Sequence, residues 1–249
     1  MYQNERLEKI MEILHQYRYV TVKYLTYHLD YSTATINRDL NLLESKQLIK
    51  RSYGGVELMD NKSAPLLVRY ANMAKKKNSI AQQAASLIQD GDTVFINGST
   101  TTEAMGKYLV EKKNITVITN NMALALFLNE HNIDVIQLGG RIVEPPYILG
   151  GTQTEENAMK YRANKMFFSS SGMTANGEIK ADAIYETLHR IMHTHSTESY
   201  YLVDSEKIVD SVQKVLFTPM EVSGIISDYH IPEHIQARFP DTQFMEVTY

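Results

Sequence analysis

Apolar residues recur along the chain with two different spacings. In the first sixty residues they fall every three or four positions. Leu7, Ile10, Met11 and Leu14 predict a first amphipathic helix within residues 4–16. Val20-Thr21-Val22 leads into a short helical segment with Leu25 and Leu29 on one face, and Thr21 is placed to cap it. Asp30-Tyr31 reads as a turn. From Ser32, a good N-cap, a helix is predicted in which Ile36, Leu40 and Leu43 fall within about 60° of one another at 100° per residue. Its other side carries Ala34, Arg38 and Asn41, with Asn37 at the edge.

Two short helices joined by a tight turn form a helix-turn-helix, about residues 20–39. A second helix with small polar groups and one arginine outward can approach base edges in a DNA major groove, where a bulky or acidic face could not. The same pattern also fits an ordinary amphipathic helix facing water. Leu48-Ile49-Lys50-Arg51 and Val56-Glu57-Leu58 predict two strands around Tyr53-Gly54-Gly55, a wing over about 48–58. Ser32, Thr33, Ala34, Thr35, Asn37, Arg38 and Asn41 on the helix are the candidate DNA contacts, with Lys50, Arg51, Tyr53 and Gly54 on the wing.

Beyond residues 59–74, read as a linker, the spacing changes. Apolar runs appear at Thr93–Ile96, Ile115–Ile118, Val135–Leu138, Met166–Phe168, Tyr200–Val203 and Gly224–Ile226. Helical patterns lie between most of them, such as Thr102–Glu111, Met122–Asn129, Thr154–Tyr161 and Asp182–His193. Alternating β and α elements predict a mostly parallel sheet with helices on both faces over 75–249. The fold class is therefore an α+β head joined to an α/β domain.

In open α/β sheets ligands bind beyond the carboxyl ends of the strands. Those ends carry Asn97-Gly98-Ser99-Thr100-Thr101, then Thr119-Asn120, Gly139-Gly140-Arg141, and Asp204 with Lys207. Glycine followed by hydroxyls at a helix start offers free N–H groups and a positive dipole end to a phosphate. Any one of these signals is weak, but four at the ends of one sheet suit a polyhydroxylated anion.

Composition narrows the picture. None of the 249 residues is a cysteine, which excludes disulfides and thiolate chemistry. No apolar run approaches the ~18 residues of a membrane span, and no signal-peptide core opens the chain, so the expected compartment is the cytoplasm. A net charge of −4 gives no global pull toward nucleic acid. Residues 1–57 hold eight Lys/Arg against seven Asp/Glu, so DNA contacts must be local and doubled in a homodimer or homotetramer. His189 and His193 have the i, i+4 spacing of a zinc pair, with His195 beside them, but no placed third ligand. No metal or cofactor is expected. The Lys75-Lys76-Lys77 run reads as a solvated helix start.

Thr35-Ile36-Asn37-Arg38-Asp39-Leu40, Leu43-Glu44 and Lys50-Arg51-Ser52-Tyr53-Gly54-Gly55 resemble the DeoR/GlpR family of bacterial transcriptional regulators, whose usual patterns are T-I-R-R-D-L and R-x-H-G-G. The strand-end motifs resemble that family's sensor domain (D-x-G-T-T, T-N, G-G, D-S-S-K), which looks like the phosphosugar-binding half of ribose 5-phosphate isomerase. Asn37 replaces a usual Arg and Tyr53 a usual His. Asn97 replaces an Asp, Ser99 a Thr, and Glu206 precedes Lys207. The resemblance implies a non-enzymatic repressor of a carbohydrate-utilisation operon that binds double-stranded operator DNA under control of a phosphorylated sugar. The matched ligand contacts are Asn97, Gly98, Ser99, Thr100, Thr101, Thr119, Asn120, Gly139, Gly140, Asp204 and Lys207, and Arg141 is added on charge. Two alternatives stay open: an isomerase-like enzyme with a DNA-binding appendage, using Glu103, Asp204, Asp182 or Glu186 as base, and a sensor of an unphosphorylated metabolite.

Overall fold

The computed structural model describes residues 6–7, 9–11, 13–14, 19–45, 48–52, 55–58, 74–144 and 147–248. The chain forms two compact units, Met1–Ala74 and Lys75–Tyr249. Residues 59–73 of the expected linker lie outside the described residues. Among those described, no helix is long and apolar enough to cross a membrane.

In the first unit, the described residues between 6 and 14 are helical. They are followed by β1 (Tyr19–Thr21), α1 (Val22–Leu29), α2 (Thr33–Ser45), β2 (Ile49–Ser52) and β3 (Gly55–Leu58). Thr21 caps α1, its Oγ1 accepting from the Tyr24 N–H at 3.1 Å. Ser32 opens α2 in the same way, accepting from the Thr35 N–H at 3.2 Å. Ile36, Leu40 and Leu43 enter a core shared with Leu7, Ile10, Leu14, Leu25 and Val56. β2 and β3 form the expected antiparallel hairpin, with Ile49 opposite Leu58. β1 adds a third strand against β3 that the sequence pattern did not suggest. Its three residues are too few to carry a period. Asp39 is buried inside α2, where Arg6 donates to both its oxygens, Nη2 reaching Oδ1 at 3.1 Å. A buried carboxylate needs such a partner, and this pair fastens the first helix to α2.

The second unit begins with α3 (Ala74–Ser86) and continues through β4 (Thr93–Ile96), α4 (Thr100–Glu103), α5 (Gly106–Leu109), β5 (Thr116–Thr119), α6 (Met122–Glu130) and β6 (Asp134–Gln137). A hairpin of β7 (Arg141–Glu144) and β8 (Ile148–Gly150) precedes α7 (Thr152–Ala158) and β9 (Ala163–Phe168). Two short strands, β10 (Met173–Thr174) and β11 (Ile179–Lys180), lead to α8 (Glu186–Thr194) and β12 (Ser196–Val203). The chain ends with β13 (Ile208–Val209), β14 (Val215–Phe217), β15 (Gly224–Ser227), α9 (Glu233–Gln236) and β16 (Gln243–Glu246).

Seven strands make the main sheet in the order β16-β15-β12-β9-β4-β5-β6. Each of its neighbouring pairs is parallel. Side chains alternate across it, as the two-residue period of a strand requires. Phe95, Phe168, Tyr201 and Ile225 face α7 and α8; Val94, Ile96, Phe167 and Leu202 face α3 and α6. Burial on both faces explains why the strands read as continuous apolar runs. The second unit differs from the sequence reading in several elements. β16 is a seventh strand, β7 and β8 pair as a hairpin, β10, β11, β13 and β14 build a small second sheet, and the helix predicted over 102–111 is two separate turns, α4 and α5.

Candidate functional site

The outer side of α2 has the shape read from the sequence. Ser32, Thr33, Ala34, Arg38 and Asn41 are exposed, and Thr35 and Asn37 are half-buried. The wing cations separate. Strand alternation sends Arg51 to the side of buried Ile49, while Lys50 is exposed opposite Glu57 of β3. The Arg51 guanidinium lies on α2: Nη1 donates to Asn41 Oδ1 at 2.6 Å and Nη2 donates to Asn37 Oδ1. The Arg51 backbone N–H donates to Glu44 Oε1 at 3.1 Å. Tyr53 and Gly54 lie outside the described residues.

In the second unit, the candidate ligand residues gather where β4, β5, β9 and β12 end. Asn97, just past β4, is buried. Its Oδ1 accepts from the Ser169 N–H at 3.1 Å, and its Nδ2 donates to the Ser169 carbonyl at 2.9 Å. The Ser169 N–H fixes the orientation of this amide, so Nδ2 is also the donor to His189 Nε2, 2.8 Å away. The imidazole must then carry its proton on Nδ1. That Nδ1–H is buried with no hydrogen-bond partner among the described residues. Burial pushes the His189 pKa down to about 4, so the ring is neutral at ordinary pH.

Gly98 donates its N–H to Asn120 Oδ1 at 2.7 Å, and Asn120 Nδ2 donates to the Leu149 carbonyl at 2.7 Å. A Cβ at Gly98 would stand 2.7 Å from the Ile148 side chain, so the close approach of β8 to this loop requires glycine. Ser99 caps α4 through the Thr102 N–H. The Thr100 hydroxyl accepts from Lys77 Nζ at 2.9 Å, and the hydroxyl of Thr101 is buried without a partner. No described residue accepts from the backbone N–H of Thr100 or Thr101. Across the site, Lys207 Nζ donates to Ser169 Oγ and the Ser170 carbonyl, both at 3.0 Å. Asn97, Ser169 and Lys207 therefore form one network, and Lys77 joins it through the Asn97–Thr102 loop. Asp204 is buried at the end of β12.

Other candidates hold separate positions. The Thr119 hydroxyl accepts from the Asn121 N–H. The Gly139 carbonyl accepts from Thr154 Oγ1 at 2.7 Å, and Gly140, at φ 151°, lies against the same side chain. Arg141 is exposed on the β7–β8 hairpin, paired with Gly150.

Two expectations change. α4 is a single turn, so a macrodipole contributes little here and positive charge must come from lysines. Lys77 is also not a solvated helix start. It lies three and four residues before buried Ile80 and Ala81, on the apolar stripe of α3, and is itself buried. That stripe was the sequence signal available for it. Lys76 likewise reaches Ser205 Oγ at 2.8 Å and Asp228 at 3.4 Å. His189, Ser169 and Ser170 were missed as members of the network. The three imidazoles go to different partners: His189 to Asn97, His193 to Ser199 Oγ, and His195, just past α8, to Arg162, whose Nη1 donates to its Nδ1 at 2.7 Å. The described residues hold no group of three side chains fit for a metal ion.

Comparisons with known proteins bear on both units. Residues 6–62 match the DeoR-like helix-turn-helix domain, and residues 72–229 match the DeoR C-terminal sensor domain. The lactose phosphotransferase system repressor of Lactococcus lactis subsp. lactis is 32% identical, over 95% of each chain. The glycerol-3-phosphate regulon repressor of Escherichia coli K12 is 28% identical, over 93% of this chain and 98% of that one. Among solved structures, a D-ribose-5-phosphate isomerase in complex with phospho-erythronic acid is 18% identical, covering 55% of this chain and 56% of that one, with a TM-score of 0.40.

Proposed function

The chain belongs to the DeoR family, and on that premise we propose that it represses a carbohydrate-utilisation operon and is controlled by a phosphorylated sugar. The first unit binds operator DNA through the outer face of α2 and the wing. The second unit binds the effector at the strand ends.

One observation carries the phosphate part of the reading. Lys77 and Lys207 are both tied to the network around Asn97–Thr102, where the N–H groups of Thr100 and Thr101 have no described acceptor and the Thr101 hydroxyl is buried unpaired. A buried hydroxyl without a partner is costly, and a phosphate dianion at this loop would give it and the two N–H groups an acceptor. Asn120 and Asp204 stand nearby as groups for sugar hydroxyls, whereas the Asn97 amide is filled by Ser169, His189 and Thr102 and positions the loop instead of meeting the ligand. The names of the relatives, one for a phosphotransferase system and one for a phosphate-ester regulon, support the same class. The near-neutral head supports a homodimer or homotetramer, in which two heads share one operator.

Thermal unfolding of the full chain with a panel of phosphosugars and their unphosphorylated parents tests this. A ligand at a hundredfold excess over its Kd adds about 2.7 kcal/mol. At least one phosphosugar is expected to raise Tm while its parent does not, and Lys77→Met is expected to remove the shift. Equal stabilisation by the parent sugar, or a full shift in the variant, contradicts the reading.

A further inference from the structure

Arg51 comes from a strand, yet its head group is organised by a helix. Asn37 and Asn41 are four residues apart on α2, one above the other on a single face. The Oδ1 of each accepts from a different Nη of Arg51. Both acceptors are neutral amides, so they order the guanidinium without cancelling its charge. The Glu44 carboxylate accepts from the Arg51 backbone N–H at 3.1 Å. A guanidinium has five donors, and with two committed, three remain, along with the Nδ2 groups of both asparagines. Asn37 stands where the resembled motif has Arg. A second guanidinium there would repel Arg51, whereas the asparagine accepts from it.

We infer that Arg51 is a base-reading residue, held by Asn37 and Asn41 so that its fork meets O6 and N7 of a guanine in the major groove. The inference rests on the DNA-binding reading above. A cation serving the phosphate backbone needs only to reach outward, as exposed Lys50 does. A planar fork fixed on the helix face that enters the groove is positioned for a planar, bidentate acceptor, and guanine supplies one. The recognition surface thus takes its main guanine reader from β2, with the asparagines as positioning residues.

The test compares full-length wild type with the R51K, R51A, K50A and N37A/N41A variants. Each selects sites from a randomised duplex library, and Kd is measured on the winning site and its single-base-pair changes. Wild type is expected to enrich a motif. R51K keeps the charge but loses the fork, so it should become indifferent at one G·C position, where discrimination falls from about five- to a hundredfold to about twofold. N37A/N41A leaves Arg51 in place but unheld and should relax the same base pair, which keeps the test valid if an Arg51 variant folds poorly. K50A should retain the motif and lower the salt slope by about 0.9. If R51K selects the wild-type motif and R51A weakens all sites equally, Arg51 is a phosphate contact and the inference is overturned. An unchanged motif in N37A/N41A also overturns it. If wild type enriches nothing, the DNA-binding reading fails first and the inference fails with it.

Discussion

At the scale of single residues, the same chemistry acts differently according to what lies beside it. Lys75 is exposed, whereas Lys77, two positions on, is buried against Thr100. The apolar period of α3 could have revealed this, but a run of three lysines reads as charge before it reads as position. His189 was legible only as a histidine at helical spacing. Its role depends on Asn97, ninety-two residues away in sequence, and no local pattern reports that pairing. The consequence can be measured. Folded His189 stays neutral to about pH 4, against an ordinary value of 6.5, so the unfolded chain binds the extra proton between those limits. Stability is then full above about pH 6.5 and falls as pH drops toward 4, by roughly 2–3 kcal/mol for this group at pH 4.5. Urea unfolding at pH 7 and pH 4.5 should show wild type losing about that much more than His189→Gln, whose amide oxygen can still accept from Asn97. Equal losses would place the acid sensitivity elsewhere.

At the scale of elements, legibility followed length and burial. α2 could be read face by face because thirteen residues hold three turns of period, and its cap, buried stripe and outer side chains all point the same way. The long strands of the main sheet were visible as apolar runs. β1, β10, β11, β13 and β14, with two or three residues each, gave no such signal. Their pairing depends on contacts distant in sequence. The faces of α2 also make a prediction. Arg38 is exposed, so Arg38→Ala should leave Tm within about 2 °C. It should weaken operator binding by roughly tenfold, the weight of one hydrogen bond to a charged group. A gel shift and a melting curve decide it: a large drop in Tm would mean the side chain supports the fold.

At the scale of the whole molecule, two units of different architecture carry the two DeoR domains, the helix-turn-helix head and the sensor. Their division was legible because a polar and then mixed stretch over 59–74 separates the small helical head from a region, opening with α3, in which apolar strand runs alternate with helical patterns. Most of the strand-end residues were legible too, because α/β sheets place ligands beyond their carboxyl ends. What was not legible is the traffic between those ends: Lys207 to Ser169, Asn120 to Leu149, Lys77 to Thr100. Control requires that the effector prefer one DNA-binding state of the protein over another, since a ligand with equal affinity for both shifts nothing.

The central claim is that one phosphorylated sugar sets DNA occupancy. The most direct measurement is fluorescence anisotropy of the full-length protein on a duplex carrying its selected site, titrated with phosphosugars and their parents at fixed salt. One phosphosugar is predicted to change the apparent Kd for DNA at least about tenfold, equivalent to about 1.4 kcal/mol of coupling. Its unphosphorylated parent should leave Kd unchanged, and so should the phosphosugar when Lys77→Met protein is used. DNA affinity that stays constant across the panel, or responds equally to the parent sugar, would contradict the account.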